Sequence, residues 1–435
     1  MRSVLAVGPG FFPLDDELEL LPGSLTPSLA ESLVRLGTEI PSFARAASLL
    51  EHFTKVRVAE ATVRRRTEAA GAAYVAVQTA VVDQLEREVP AGPPAPAVLQ
   101  LSVDGAMVPL LHGQWAEVKT LAVGCVVAQP DPAGALVVRT GDLSYFSRLA
   151  DHETFRRLAW GELHRRGIER AGRVVGVVDG SDWCQGFFDY HRPDAVRILD
   201  FPHALEHLAA AGQAVFGTGT VRFTDWLDQQ AHTWKHGDPV EVLGGLCLLP
   251  VAAARDPEQA AAVQERTLDY LAKRWEQVQY AHFQAQGLPI GSGIVESANK
   301  LVVEFRLKGS GMHWAREHVN PMVALRTALC SGRWTEAWEQ IAQQMRQQVQ
   351  HAAGVRRAQR RASRSVLQAE TATAEAAPRA PSAAAVTPDA PTTALPAAAP
   401  GEGQSAAASA PKVINGKPRA DHPWRRPLVT SRRAS

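Results

Sequence analysis

The periodicity of the chain changes at Val98, and that change restricts the possible folds more than any other feature. Three strand-like runs, 98–103, 119–127 and 135–139, follow one another before any helix intervenes. A helical pattern at 151–166, with Phe155, Leu158, Ala159 and Leu163 near i, i+3, i+4 spacing, leads into a strand at 173–178. A short helical piece at 183–190 precedes a last strand at 195–200. The expected class is therefore α/β in the order βββαβαβ, with crossover helices only after the third strand.

Acids stand at telling points of this pattern. Asp104 follows the run 98–103 where the strand is expected to give way to Gly105, Asp179 follows Val174-Val-Gly-Val-Val178, and Glu296 sits in a helix-like segment preceded by glycines. One Asp at a strand end is usually a turn or cap residue. Three acids on strand end, strand end and helix suit two Mg²⁺ ions, with Mn²⁺ able to substitute. Such ions, roughly 3.5–4 Å apart, serve phosphoryl transfer. On that expectation Asp104 bridges both ions while Asp179 and Glu296 each complete one. Asp182, after Gly180 and Ser181, is expected to cap the next helix.

The remaining segments fall into place around this core. Residues 1–88 carry a helical pattern in which 42–53 and 59–70 form a helix-turn-helix, its second helix bearing Arg64, Arg65 and Arg66. Generic three-helix packing is the alternative. Residues 89–97 are a Pro-rich linker, 98–202 the first part of the α/β core, 203–287 an all-helical insertion, and 288–350 the final helix and a basic segment. Residues 351–435 begin basic, with Arg356, Arg357, Arg360, Arg361 and Arg364, and become rich in Ala and Pro. Beyond Ala369 they are expected to be disordered. The net charge is only +1, so the clusters, not the sum, suggest phosphate contacts. Without a signal pattern or an apolar run of roughly 18–20 residues, a cytoplasmic, nucleoid-associated protein with no membrane partner is expected. The cysteines at 125, 184, 247 and 330 show no zinc or disulfide spacing and are expected to be buried reduced thiols.

The strand order is that of the ribonuclease H-like fold, and five motifs add to it. Val103-Asp-Gly-Ala-Met-Val108, Trp115-Ala-Glu-Val-Lys-Thr120, Val178-Asp-Gly-Ser-Asp-Trp183, Asp200-Phe-Pro-His-Ala204 and Gly291-Ser-Gly-Ile-Val-Glu-Ser-Ala-Asn-Lys300 resemble the DDE transposases of bacterial insertion sequences, the ISKra family in particular. The likeness runs from about residue 10 to 350. It implies a bacterial enzyme that cuts the terminal inverted repeats of its element and joins the 3′-hydroxyl ends to target double-stranded DNA, acting as a homo-oligomer. It also implies catalytic and metal-binding roles for Asp104, Asp179 and Glu296, and a supporting role for Asp200 and His203, whose alternative is simple helix capping by Asp200. Lys300, four residues after Glu296, either contacts phosphate or pairs with the glutamate. Arg306, Lys308, His313 and Trp314 form a basic segment suited to gripping DNA, with a core role as the alternative for Trp314. Related proteins often begin with a cysteine-bearing segment, whereas Val7-Gly-Pro-Gly-Phe-Phe-Pro13 has none, as expected of a lost zinc element. Two other functions share the fold: a sequence-specific DNA-binding protein with an inert nuclease domain, and a structure-specific nuclease.

Overall fold

Five strands pair in the order β3-β2-β1-β4-β5: β1 (Val98–Pro109), β2 (Trp115–Pro130), β3 (Leu136–Arg148), β4 (Arg173–Val178) and β5 (Val196–Leu199). The first three are antiparallel neighbours, β4 joins parallel to β1 and β5 parallel to β4, as successive strands followed by helix crossovers require. The structure, a computed structural model, describes residues 25–94, 96–130, 134 and 136–375. One unit spans residues 1–366; of the other, 367–435, only 367–375 are described, as the end of a helix. The segment around Val7–Pro13 and the tail from 376 lie outside the described residues.

Each expected strand is present, but β1 and β2 run well past their apolar cores. Asp104 is therefore inside β1, not at its end: Asp104 pairs with Thr120 and Gly105 with Lys119. The strand continues because Gly105 keeps extended backbone, and Glu117 of β2 fills the space its side chain lacks. A Cβ there would lie 2.2 Å from Glu117 Oε1.

Before the sheet come α1 (Pro27–Glu39), α2 (Phe43–Thr54) and α3 (Glu60–Leu85). Ser42 caps α2 through Arg45 N–H. The expected second helix, 59–70, continues through Gly71 to Leu85. This glycine marks a close helix crossing, since a Cβ would fall 2.3 Å from the carbonyl oxygen of Pro321 in α13 (Arg316–Cys330). Leu33, Leu50, Val63 and Tyr74 share one core with Leu325 of α13 and with Trp334, Trp338 and Ile341 of α14 (Trp334–Glu375). Each fully buried leucine there contributes about 1.5–3 kcal/mol. The Pro-rich linker thus does not separate an independent N-terminal body, and helix continues through residues 369–375, where disorder was expected.

One sheet face packs on α4 (His152–Arg165) and α5 (Asp182–His191), through Leu101, Val103, Leu121, Phe155, Phe187 and their neighbours. The opposite face is covered in two parts. Over β4 and β5 lies the helical insertion, α6 (Phe201–Phe216), α7 (Val221–His236), α8 (Pro239–Cys247), α9 (Pro257–Ala272) and α10 (Tyr280–Ala285). Four of these five helices start at side-chain caps, Asp200, Thr220, Asp238 and Asp256, which explains why this region reads so clearly as helical. Over β1 and β2 lie α11 (Gly293–Ala298), the π-helical turn Asn299–Glu304, α12 (Phe305–Leu307) and α13. No helix among the described residues is long and apolar enough to cross a membrane.

Candidate active site

Strand parity brings the first two acids together. Asp104 shares its face of β1 with Ala106 and Val108, which pack under α11 and α13. The last parallel β1–β4 pair is Leu101 with Gly176, so Val178 falls beside Val103 and Asp179 emerges beside Asp104 where β4 has ended. Asp104 Oδ1 accepts its neighbour Gly105 N–H at 2.7 Å, and Oδ2 accepts Asn299 Nδ2–H at 2.8 Å. Burial pushes the Asp104 carboxyl above its usual range, and the nearby charges of Asp179 and Glu117 push the same way against those two hydrogen bonds. Beneath the pair, burial also raises the Cys184 thiol, which donates to Val103 O and is chemically quiet.

Asp179 is fixed by its own turn and by the insertion. Its Oδ1 accepts Ser181 N–H at 3.0 Å. Tyr270 Oη–H of α9 donates to Asp179 O at 2.7 Å, and Arg274 Nη2–H donates to Gly180 O at 2.7 Å. The Tyr270 ring lies between the Arg274 guanidinium, 3.9 Å from its centroid, and the His207 ring stacked at 3.8 Å. Gly180 has φ +81°, and a Cβ would meet Arg274 Nε at 2.6 Å, so only glycine allows this clamp to close. Asp182 does not cap α5: Ser181 holds the N-cap position without a side-chain cap bond, and Asp182 is the first helical residue. There its charge meets the positive helix end.

Glu296 is presented differently. It lies exposed on α11, with Ser292 Oγ–H donating to its Oε1 at 3.4 Å. The entry to that helix is tied down by Asp200, which is 4% exposed. Asp200 Oδ2 caps α6 through His203 N–H at 3.0 Å, while Oδ1 accepts Ser292 N–H at 2.6 Å, and Phe201 N–H donates to Ile290 O. Capping and support of the acid-bearing helix are thus one interaction set, not alternatives. Among the described residues no three His, Cys, Asp or Glu side chains are drawn together to hold a metal. Mg²⁺ binds through one or two carboxylates together with waters and substrate phosphate. The hard-oxygen pair, carrying mutual repulsion that a cation would relieve, fits such an ion.

The other expected residues divide sharply. His203 is half-buried, 3.5 Å from Glu206, with its ring against His207. Lys300 is exposed and forms no ion pair with Glu296 among the described residues. The π turn beginning at Asn299 breaks the regular i,i+4 relation between them. Arg306 and Trp314 do not face solvent: Trp314 Nε1–H donates to Leu307 O, and Arg306 donates to Gly37 O from between the Phe43 and Trp314 rings. Both belong to the core, where a long cation capped by a carbonyl and two rings is satisfied without DNA. Lys308 pairs with Glu304 at 2.7 Å. Arg64 and Arg65 are exposed and Arg66 is half-buried. The side chains of Arg357, Arg360, Arg361 and Arg364 lie outside the described residues, and Arg356 is exposed. All four cysteines are free, but only Cys184 is fully buried and Cys247 is exposed.

Four residues at the site escape a reading of the acids alone. Glu117 and Asn299 lie within the motifs Trp115–Thr120 and Gly291–Lys300, so their neighbourhood was visible although their roles were not. Tyr270 lies in α9 and Arg274 two residues past its end, about ninety residues from the turn they hold, and nothing local marks them. Compared with known proteins, the chain matches no protein-family model and no curated protein.

Proposed function

We propose that the chain is a DDE-type DNA transposase with a ribonuclease H-like core, cutting the ends of a DNA element and joining the freed 3′-hydroxyls to target DNA. The observation that carries this proposal is the pair Asp104–Asp179, the first inside β1 and the second just past the end of the adjacent parallel strand β4. Phosphodiester cleavage needs an oriented nucleophile and neutralisation of charge on the phosphoryl oxygens. Bound Mg²⁺ or Mn²⁺ would supply that neutralisation and activate the nucleophilic oxygen. Asp104 and Asp179 would hold the cation, with Glu296 as the further carboxylate from α11. Gly105 N–H and the Asn299 amide orient Asp104, Tyr270 and Arg274 fix the turn of Asp179, and Asp200 fixes the start of α11. Helices α2 and α3 would form the helix-turn-helix, with Arg64 and Arg65 facing DNA. The active complex would be a homo-oligomer holding two DNA ends.

The test is Mg²⁺-dependent nicking and joining of a plasmid carrying the DNA that flanks the coding sequence. Wild type should nick and join, and Asp104→Asn, Asp179→Asn and Glu296→Gln should each abolish both reactions while retaining DNA binding. Full activity of all three variants would refute the proposal. That no three carboxylates are drawn together among the described residues favours a second reading, a DNA-binding protein with an inert core. Sequence-specific binding by a wild type that neither nicks nor joins would select it.

A further inference from the structure

Asn299 combines three properties that ordinary packing does not explain. It is 6% exposed, its Nδ2–H donates to Asp104 Oδ2 at 2.8 Å, and its own Oδ1 is buried with no hydrogen-bond partner. A buried acceptor left unpaired is destabilising. An apolar residue of similar size would avoid that cost. The amide also opens the π turn Asn299–Glu304, an irregular winding that regular helix packing would not select and that is frequent at functional sites. Around it Val295, Ala298, Val302 and Val303 are all buried and apolar, so the amide is the polar exception on an otherwise hydrophobic face.

We propose that Asn299 is a positioning residue for cation binding at Asp104: Nδ2–H holds Oδ2 in place, and Oδ1 accepts a hydrogen bond from water that a divalent cation brings to the site. The proposal rests on the reading of Asp104 and Asp179 as cation ligands and adds to it a residue outside the three acids. The amide suits this task better than a charged group. Lysine would neutralise the pair and compete with the cation, and a further carboxylate would add to the repulsion already acting on Asp104. A neutral group with one donor and one acceptor can orient a carboxylate and a bound water at once. Partners of this kind typically govern metal affinity by 10–100-fold.

The experiment is titration of the full chain with Mn²⁺, followed by calorimetry and by the electron paramagnetic resonance signal of free Mn²⁺. Melting temperature without metal is measured alongside. Asn299→Leu, which keeps the branched shape and removes both polar atoms, should weaken Mn²⁺ binding by about 10–100-fold, with a cooperative metal-free melting transition showing that it folds. Asp104→Asn should weaken binding at least as much. If Asn299→Leu does not fold, Asn299→Ala is read in the same titration, with the same loss of affinity expected. Weak binding by Asp104→Asn together with wild-type affinity in the folded Asn299 variant would overturn the positioning role and leave the acid site standing. Wild-type affinity in Asp104→Asn would overturn the reading of the acids, and the role of Asn299 with it.

Discussion

Replacing Asp200 by alanine should cost far more than loss of a helix cap. The carboxylate performs two tasks with two oxygens: Oδ2 caps α6 at His203 N–H, and Oδ1 accepts Ser292 N–H at 2.6 Å, next to the helix that carries Glu296. Loss of the cap costs about 1 kcal/mol. Ser292 is 8% exposed, so its amide has little access to water and its loss of a charged acceptor costs a further ~1–3 kcal/mol. Together these give about 2–4 kcal/mol for Asp200→Ala. Asp200→Asn keeps one acceptor oxygen but turns an amide N–H toward a backbone donor. It should therefore retain the cap and lose only the second part, about 1–3 kcal/mol. Urea unfolding followed by tryptophan fluorescence measures the loss, and amide hydrogen exchange at Ser292 locates it. Both variants should speed exchange at Ser292, while only alanine should also speed exchange at His203. Variants within about 0.5 kcal/mol of wild type, with Ser292 still protected, would show that the two hydrogen bonds do not join these segments.

Three further outcomes follow from the packing and the charges. Burial pulls the His191 imidazole down to about 4, with its Nε2 bonded to Arg156 O, so between pH 6.5 and 4 the unfolded chain binds more protons and stability falls as pH falls. His191→Gln should flatten that part of the urea midpoint against pH curve by up to about 3 kcal/mol, and an unchanged slope would count against neutral burial. A fragment starting at residue 96 should fail to fold, because removing α1–α3 uncovers Leu325, Trp334, Trp338 and Ile341; a cooperative thermal transition by circular dichroism would contradict this. Asp179→Asn should end metal-dependent nicking, whereas Asp182→Asn should remain active and lose only about 0.3–1 kcal/mol of helix-dipole interaction; the reverse pattern in paired nicking and melting assays would reassign the ligand.

The sheet was legible because alternation and apolar runs report strands directly, and β4 was read with both its ends. The start of β1 at Val98 was legible but its C-terminal end was not, because Asp104 and Gly105 interrupt the apolar pattern and only the partner residue Glu117 explains why the strand continues. The two strand acids could be found from their positions after apolar runs. What could not be found was where a distant side chain lands: Tyr270 and Arg274 look like any other residues of a solvated helix. Arg306 and Trp314 illustrate the opposite error. A basic residue near an aromatic one suggests DNA, yet Gly37 O and the Phe43 ring, more than 260 positions away in sequence, make the guanidinium a core element.

That buried arginine also bears on how such a chain can change over evolutionary time. Arg306 follows the π turn after Glu296, and two of its partners, Gly37 O and the Phe43 ring, lie in α1 and α2. A recombination event that exchanged only the N-terminal helices would inherit a carbonyl and a ring fitted to a different guanidinium, and leave a buried cation unmatched. On the proposed reading of α2 and α3 as DNA-binding helices, specificity should therefore drift by substitution on exposed positions such as Arg64 and Arg65, while α1, α2 and the segment bearing Arg306 are inherited together.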